Sequence, residues 1–169
     1  MTHKIMTVYG TRPEAIKMAP LVLALREDQR FDPIVAVTGQ HREMLDQVNS
    51  LFGIRPNVDM NLMAHGASLE QITSRTLEAV AECIAEEKPD AVVVQGDTTS
   101  ALAGALAAFY HRVPVVHLEA GLRTGNMSSH SPRKRIVGWS LQSRRCTWLR
   151  HLLLAPTSSV RGSLQRTSW

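Results

Sequence analysis

The chain has 169 residues and 18.7 kDa, 44% of them hydrophobic and 20% charged, with a formal net charge of +4. These are the proportions of a single water-soluble domain of ordinary size, and they exclude collagenous, disordered and membrane-embedded chains and leave no length for a second full domain. Its two cysteines, Cys83 and Cys146, form no CxxC, and the start lacks the apolar run of a signal peptide, so a cytoplasmic protein with no membrane partner is expected.

Residues 5–9 (Ile-Met-Thr-Val-Tyr) are a β-prone apolar run, followed by Gly10-Thr11-Arg12-Pro13-Glu14 and an apolar-periodic stretch to Leu25: strand, turn, helix. The pattern repeats with residues 33–38, then Gly39-Gln40, then a helix from His41 to Phe52. Ser68 is placed to cap a helix running to residue 88, which Pro89-Asp90 ends. Ala91 to Val94 is a wholly apolar strand, Gln95 to Thr99 a polar turn, Ala101 to Tyr110 an alanine-rich helix, and Val113 to His117 the next strand. Strands apolar on both faces and alternating with helices predict an α/β fold, a doubly wound parallel sheet covered on both sides. Ligands of such sheets sit beyond the carboxyl ends of the strands. Those ends here carry GTRPE, TGQHRE, QGDTTS and HLEAGLRTG, so the polar chemistry gathers at one edge.

Each of these ends has a functional and a structural reading. Gly10 permits a tight turn, and a helix start with free N–H groups beside Arg12 would receive an anion such as a phosphate; alternatively Arg12 pairs with Glu14. Neither GxGxxG nor GxxxxGK[ST] is present. Asp97, directly after a buried strand, is placed for acid–base work, or else caps the following helix with Thr98 and Thr99 assisting. His117 and Glu119 share one face of their strand, and Glu119 either joins Asp97 as a second carboxylate or pairs with Arg123. An HxE pair suits a zinc deaminase, but the companion PCxxC is absent, and no other histidine has metal-ligand spacing. Gln40 and His41 open a helix with hydrogen-bonding groups and, taken alone, fit a solvated helix start.

Together, GTRPEAIKMAP (Gly10 to Pro20), TGQHREMLDQV (Thr38 to Val48), QGDTTS (Gln95 to Ser100) and HLEAGLRTGN (His117 to Asn126) closely resemble the non-hydrolysing UDP-N-acetylglucosamine 2-epimerases. The resemblance covers residues 4 to about 127 and concerns that family's N-terminal domain, a Rossmann-like sheet forming one half of a GT-B-type enzyme. It implies interconversion of UDP-N-acetylglucosamine and UDP-N-acetylmannosamine by elimination and re-addition of UDP through 2-acetamidoglucal, with no cofactor and no metal. It assigns Asp97 and Glu119 as catalytic carboxylates and places Arg12 near the nucleotide, with Gly10, His117 and Arg123 at the substrate. It matches Gln40 and His41 to positions touching a second, activating UDP-N-acetylglucosamine. Full-length relatives of this kind are typically homodimers. A hydrolysing relative and a non-catalytic sugar-nucleotide-binding module are the alternatives.

Beyond residue 127 the text changes. Residues 1–119 hold 10 Lys and Arg against 15 Asp and Glu, whereas residues 120–169 hold nine basic residues and no acidic one, with all three tryptophans. A nucleic-acid arm is one reading, but the tail lacks the low complexity usual for one. The resemblance places another catalytic glutamate where Arg133 stands, and echoes at Arg135 to Gly138 and Leu154 to Thr157 flank unrelated text. The division expected is therefore an epimerase-like domain over 1–127 and a divergent basic tail over 128–169, such as a shifted reading frame would produce. With the family's second domain absent from this sequence, little or no turnover is expected of these 169 residues alone.

Overall fold

The computed structural model describes residues 2–39, 42–62, 67–118 and 146–147. Among the described residues there are six strands and four helices, in the order β1 (His3–Tyr9), α1 (Arg12–Glu27), β2 (Phe31–Val37), α2 (Arg42–Leu51), β3 (Val58–Asp59), α3 (Leu69–Glu87), β4 (Ala91–Gln95), α4 (Thr99–Tyr110), β5 (Val115–Leu118) and β6 (Cys146–Thr147). All pairings are parallel and the order is β3-β2-β1-β4-β5-β6. The expected doubly wound α/β class is what forms, and its strand order is that of the Rossmann-like sheets. The two-residue strands β3 and β6 were not anticipated. β6 lies within the stretch that the sequence sets apart as a tail.

Alternation along each strand builds two cores. Met6, Val8, Ile34, Ala36, Val92 and Val94 meet Val80, Cys83 and Ile84 of α3 and the alanines of α4. Tyr9, Val35, Val37 and Val93 point the other way, onto Ala15, Met18 and Val22 of α1 and Leu45 and Val48 of α2. Strands buried on both faces have no polar side to show, hence the continuous apolar runs. Helix α4 approaches the sheet closely because small residues line its inner side: a Cβ on Gly104 would stand 3.3 Å from both Val8 and Val94. Helix α3 is capped as expected at Ser68, whose Oγ accepts from Gln71 N at 3.4 Å while Gln71 Oε1 accepts from Ser68 N at 3.1 Å. It ends at Lys88 in the left-handed region (φ 51°), one residue before Pro89. Among the described residues no helix is long and apolar enough to cross a membrane.

Tyr9 joins the sheet to α2, its buried hydroxyl donating to Asn49 Oδ1 at 2.9 Å. Burial pushes its pKa from 10.0 up to about 12, with Arg26 pulling weakly the other way. A folded-state pKa above the unfolded one gives stability that is complete below pH 10 and lost as pH rises toward 12. The loss approaches about 2–3 kcal/mol at its limit and is roughly half developed at pH 11. Tyr9→Phe is expected to abolish this component: urea unfolding at pH 8 and pH 11 should show a smaller alkaline loss in the variant than in the parent chain. Equal losses in the two would show that Tyr9 ionises without penalty.

Candidate functional site

The strand order places the reversal of the winding at β1 and β4, and the candidate residues lie where those strands end. Gly10 follows β1, Thr38 follows β2, and Gly96-Asp97-Thr98 links β4 to α4. The floor is tightly closed. Thr38 Oγ1 and Ser100 Oγ, both buried, lie 2.9 Å apart in a hydrogen bond. A Cβ on Gly10 would come within 2.0 Å of Thr38 Oγ1 and 2.9 Å of Ser100 Oγ. Gly10 is thus required for space, letting three connections meet.

Glu14 corrects the first structural reading. It does not pair with Arg12; it is 2% exposed and turned into the sheet edge. Its Oε2 accepts from Gly10 N at 2.7 Å and Thr11 N at 2.9 Å, and its Oε1 accepts from the Thr98 hydroxyl. The Gly10 and Thr11 N–H groups, which lead into α1, are therefore taken up within the protein. A carboxylate of the same helix holds them and complements the positive end of α1. The Thr11-x-x-Glu14 spacing is a capping-box signal legible in the sequence. What it does not carry is the link to Thr98, 84 positions away. Arg12, released from Glu14, is exposed and makes no ion pair or hydrogen bond among the described residues, so its guanidinium is available to an anion.

The turn after β4 corrects the second. Thr98, not Asp97, caps α4: Thr98 has extended backbone (φ −96°, ψ 166°) and its Oγ1 accepts from Ala101 N at 3.2 Å. Asp97 is half-buried and has no hydrogen bond or ion pair among the described residues. Around it the turn is well held. Gly96 takes φ 81°, a region that favours glycine. Gln95 is buried, and in the orientation that satisfies its amide the oxygen accepts from Gly96 N at 3.2 Å and Lys17 Nζ at 3.1 Å.

His117 sits in register with Val94, which itself pairs with Val8, so all three share the face that meets α4. Its ring is 1% exposed, and Nε2 lies 2.7 Å from the Gly96 carbonyl oxygen. A carbonyl oxygen only accepts, so Nε2 carries the hydrogen. Nδ1 is buried without a hydrogen-bond partner among the described residues. His117 thereby acts on the β4–α4 turn. Gln40, His41, Glu119 and Arg123 lie outside the described residues. Among the described residues no group of three or more His, Cys, Asp and Glu side chains is arranged to hold a metal ion.

At the start of α2, next to Gln40 and His41 in sequence, Arg42 Nη2 lies 2.7 Å from Asp59 Oδ2 at the end of β3 and its Nε 3.7 Å from Asp46. Ahead of α2 Gly39 takes φ 73°, after β3 Asn61 takes φ 43°, and Leu62 N donates to Thr38 O at 3.1 Å. The neighbouring edge strand is thus fastened to the same end of the sheet.

Residues 23–139 match the family model described as UDP-N-acetylglucosamine 2-epimerase. The chain is similar to the UDP-N-acetylglucosamine 2-epimerase of Salmonella typhimurium, 52% identical over 166 residues, which cover 96% of this chain and 42% of that protein. A crystal structure of a UDP-N-acetylglucosamine 2-epimerase superposes with a TM-score of 0.78 at 51% identity, over 83% of this chain and 39% of the other. The Neisseria meningitidis UDP-GlcNAc 2-epimerase, solved bound to UDP-GlcNAc, superposes with a TM-score of 0.74 at 46% identity, over 81% and 38%. The chain spans about 42% of the length of the curated relatives it matches.

Proposed function

The chain belongs to the UDP-N-acetylglucosamine 2-epimerase family, and from that premise we propose that it supplies the N-terminal half of the site interconverting UDP-N-acetylglucosamine and UDP-N-acetylmannosamine in the cytoplasm. In this reading residues 1–127 are the first domain of a GT-B-type pair, and the basic stretch from residue 128 is peripheral to the chemistry. The observation that carries the proposal is Asp97: a carboxylate at the winding reversal, on a turn whose Gly96 carbonyl and Thr98 hydroxyl are held by His117 and Glu14, with Arg12 exposed beyond the end of the adjacent strand.

The chemistry follows from what those groups can do. The proton at carbon 2 is weakly acidic, so its removal needs a positioned carboxylate and a stabilised leaving group at carbon 1. One of Asp97 and Glu119 takes the proton as the carbon 1–oxygen bond breaks, giving 2-acetamidoglucal and UDP. Returning a proton to the opposite face of carbon 2 while UDP adds back at carbon 1 yields the epimer. Arg12 offers its fork of donors to the diphosphate. The overall reaction is redox-neutral and uses no nicotinamide. Gln40 and His41 are assigned to a second, regulatory sugar nucleotide, and Arg123 to the substrate.

The test is proton NMR of UDP-N-acetylglucosamine in heavy water. The 169-residue chain is expected to transfer saturation to the nucleotide with little or no epimer formed. A chimera carrying residues 2–118 of this chain in place of the matching part of the Salmonella relative is expected to give both the manno epimer and deuterium at carbon 2. Free N-acetylmannosamine would instead mark a hydrolysing enzyme. No saturation transfer to a folded chain, with an inactive but folded chimera, would overturn the proposal.

A further inference from the structure

The turn that carries Asp97 is gripped on both sides by residues that the proposed reaction does not use. On the near side the Gly96 carbonyl receives His117 Nε2–H at 2.7 Å from the buried end of β5. On the far side the Thr98 hydroxyl donates to Glu14, whose other oxygen is fixed by the Gly10 and Thr11 N–H groups. Between the two grips Asp97 alone has no hydrogen bond or ion pair among the described residues. The grips come from different elements, α1 and β5, and converge on three consecutive residues from positions far apart in the chain.

We propose that Glu14 and His117 are positioning residues that clamp the Gly96-Asp97-Thr98 turn and hold the Asp97 carboxylate out of hydrogen bonds with the other described residues, so that it can meet substrate. Resting on the reading of Asp97 as an acid–base group, the clamp solves a definite problem. A carboxylate three residues ahead of several helix N–H groups ordinarily folds back to cap them. Thr98 already fills the cap, and Glu14 locks Thr98 in that role. A general base must keep its lone pairs unengaged yet stay within a fraction of an ångström of its target, so the rigidity has to come from its neighbours. Glu14 holds the Gly10 and Thr11 N–H groups that lead into α1, so one buried carboxylate fixes the end of β1 and anchors the second turn.

The experiment uses the full 169-residue chain and two nearly isosteric variants. Both Thr98→Asn and Thr98→Asp keep a side-chain oxygen to cap α4. Asparagine can still donate to Glu14, whereas aspartate cannot and sets like charges face to face. By 15N relaxation, the Asp97 amide is expected to keep an order parameter near 0.85 in the parent and in Thr98→Asn, and to fall below about 0.6 in Thr98→Asp. Amides of β2 and α3 should be unchanged in all three. His117→Leu should loosen Gly96 and His117→Gln, which can donate to the same carbonyl, should restore it. Parent-like order in Thr98→Asp, equal loss in both Thr98 variants, or loss spread through the chain would overturn the clamp. Adding UDP-N-acetylglucosamine separates the two ideas: if the parent shows no shift with the nucleotide but the relaxation pattern holds, the clamp stands and the substrate reading falls.

Discussion

Gly10→Ala is expected to destabilise the chain by about 2–4 kcal/mol, the range of a forced overpacking that also breaks a buried hydrogen bond. The added methyl would stand 2.0 Å from Thr38 Oγ1 and 2.9 Å from Ser100 Oγ, well inside contact distance. Neither the glycine nor the threonine can step aside. Gly10 N is held by Glu14 at 2.7 Å, and Thr38 N donates to Tyr9 O at 3.0 Å. The cost is steric and not conformational, because Gly10 is not among the glycines with positive φ. Combining Gly10→Ala with Thr38→Ala removes the nearest clashing atom, so the two losses should fall short of additive by about 1–2 kcal/mol. Urea midpoints of the parent, both single variants and the double variant measure this directly. Additive losses would mean that the end of β1 relaxes away from Thr38 and that the floor of the site is softer than its geometry.

The sequence carried those features that depend on near neighbours. The two-faced apolar strands, the Ser68 cap and the Pro89 stop all follow from residues within a few positions, and each forms where the pattern puts it. β3 escaped because two residues, Val58 and Asp59, carry no period, and their pairing is set by β2 alongside. The site was legible in its location and less so in its wiring. Strand alternation alone brings Gly10, Asp97 and His117 to one edge. Yet Asp97, Thr98 and Thr99 are all acceptable caps, and only the extended backbone at Thr98 chooses among them. Glu14 beside an arginine invites an ion pair. Its burial becomes predictable only once Thr98, from a different strand-to-helix connection, is known to face it. The resemblance assigns His117 to the substrate; its hydrogen bond to Gly96 O, a partner reached through the pairing of β4 with β5, is what the local sequence does not carry.

Asp97→Asn is expected to lower the rate of carbon 2 proton exchange by about 10²–10⁴-fold in the chimera, the range for loss of a general acid or base. The substitution removes the charge and the proton-accepting capacity while conserving shape. Asp97 has no hydrogen bond or ion pair among the described residues, so no contact with them is lost, and the unfolding free energy from urea titration should change by less than about 0.5 kcal/mol. KM should change little, since binding of the nucleotide is assigned to Arg12 and to the rest of the site. Arg12→Ala should do the reverse, raising KM more than it lowers kcat, because its donors meet the diphosphate before and during bond cleavage alike. The pair of variants therefore tests the division of labour between the ends of β1 and β4. If Asp97→Asn left exchange within threefold of the parent, proton removal would belong to Glu119 or another group, and the clamped turn would serve binding instead. If it lost both exchange and stability, Asp97 would hold the fold through a contact outside the described residues, and its freedom, the premise of the acid–base role, would be gone.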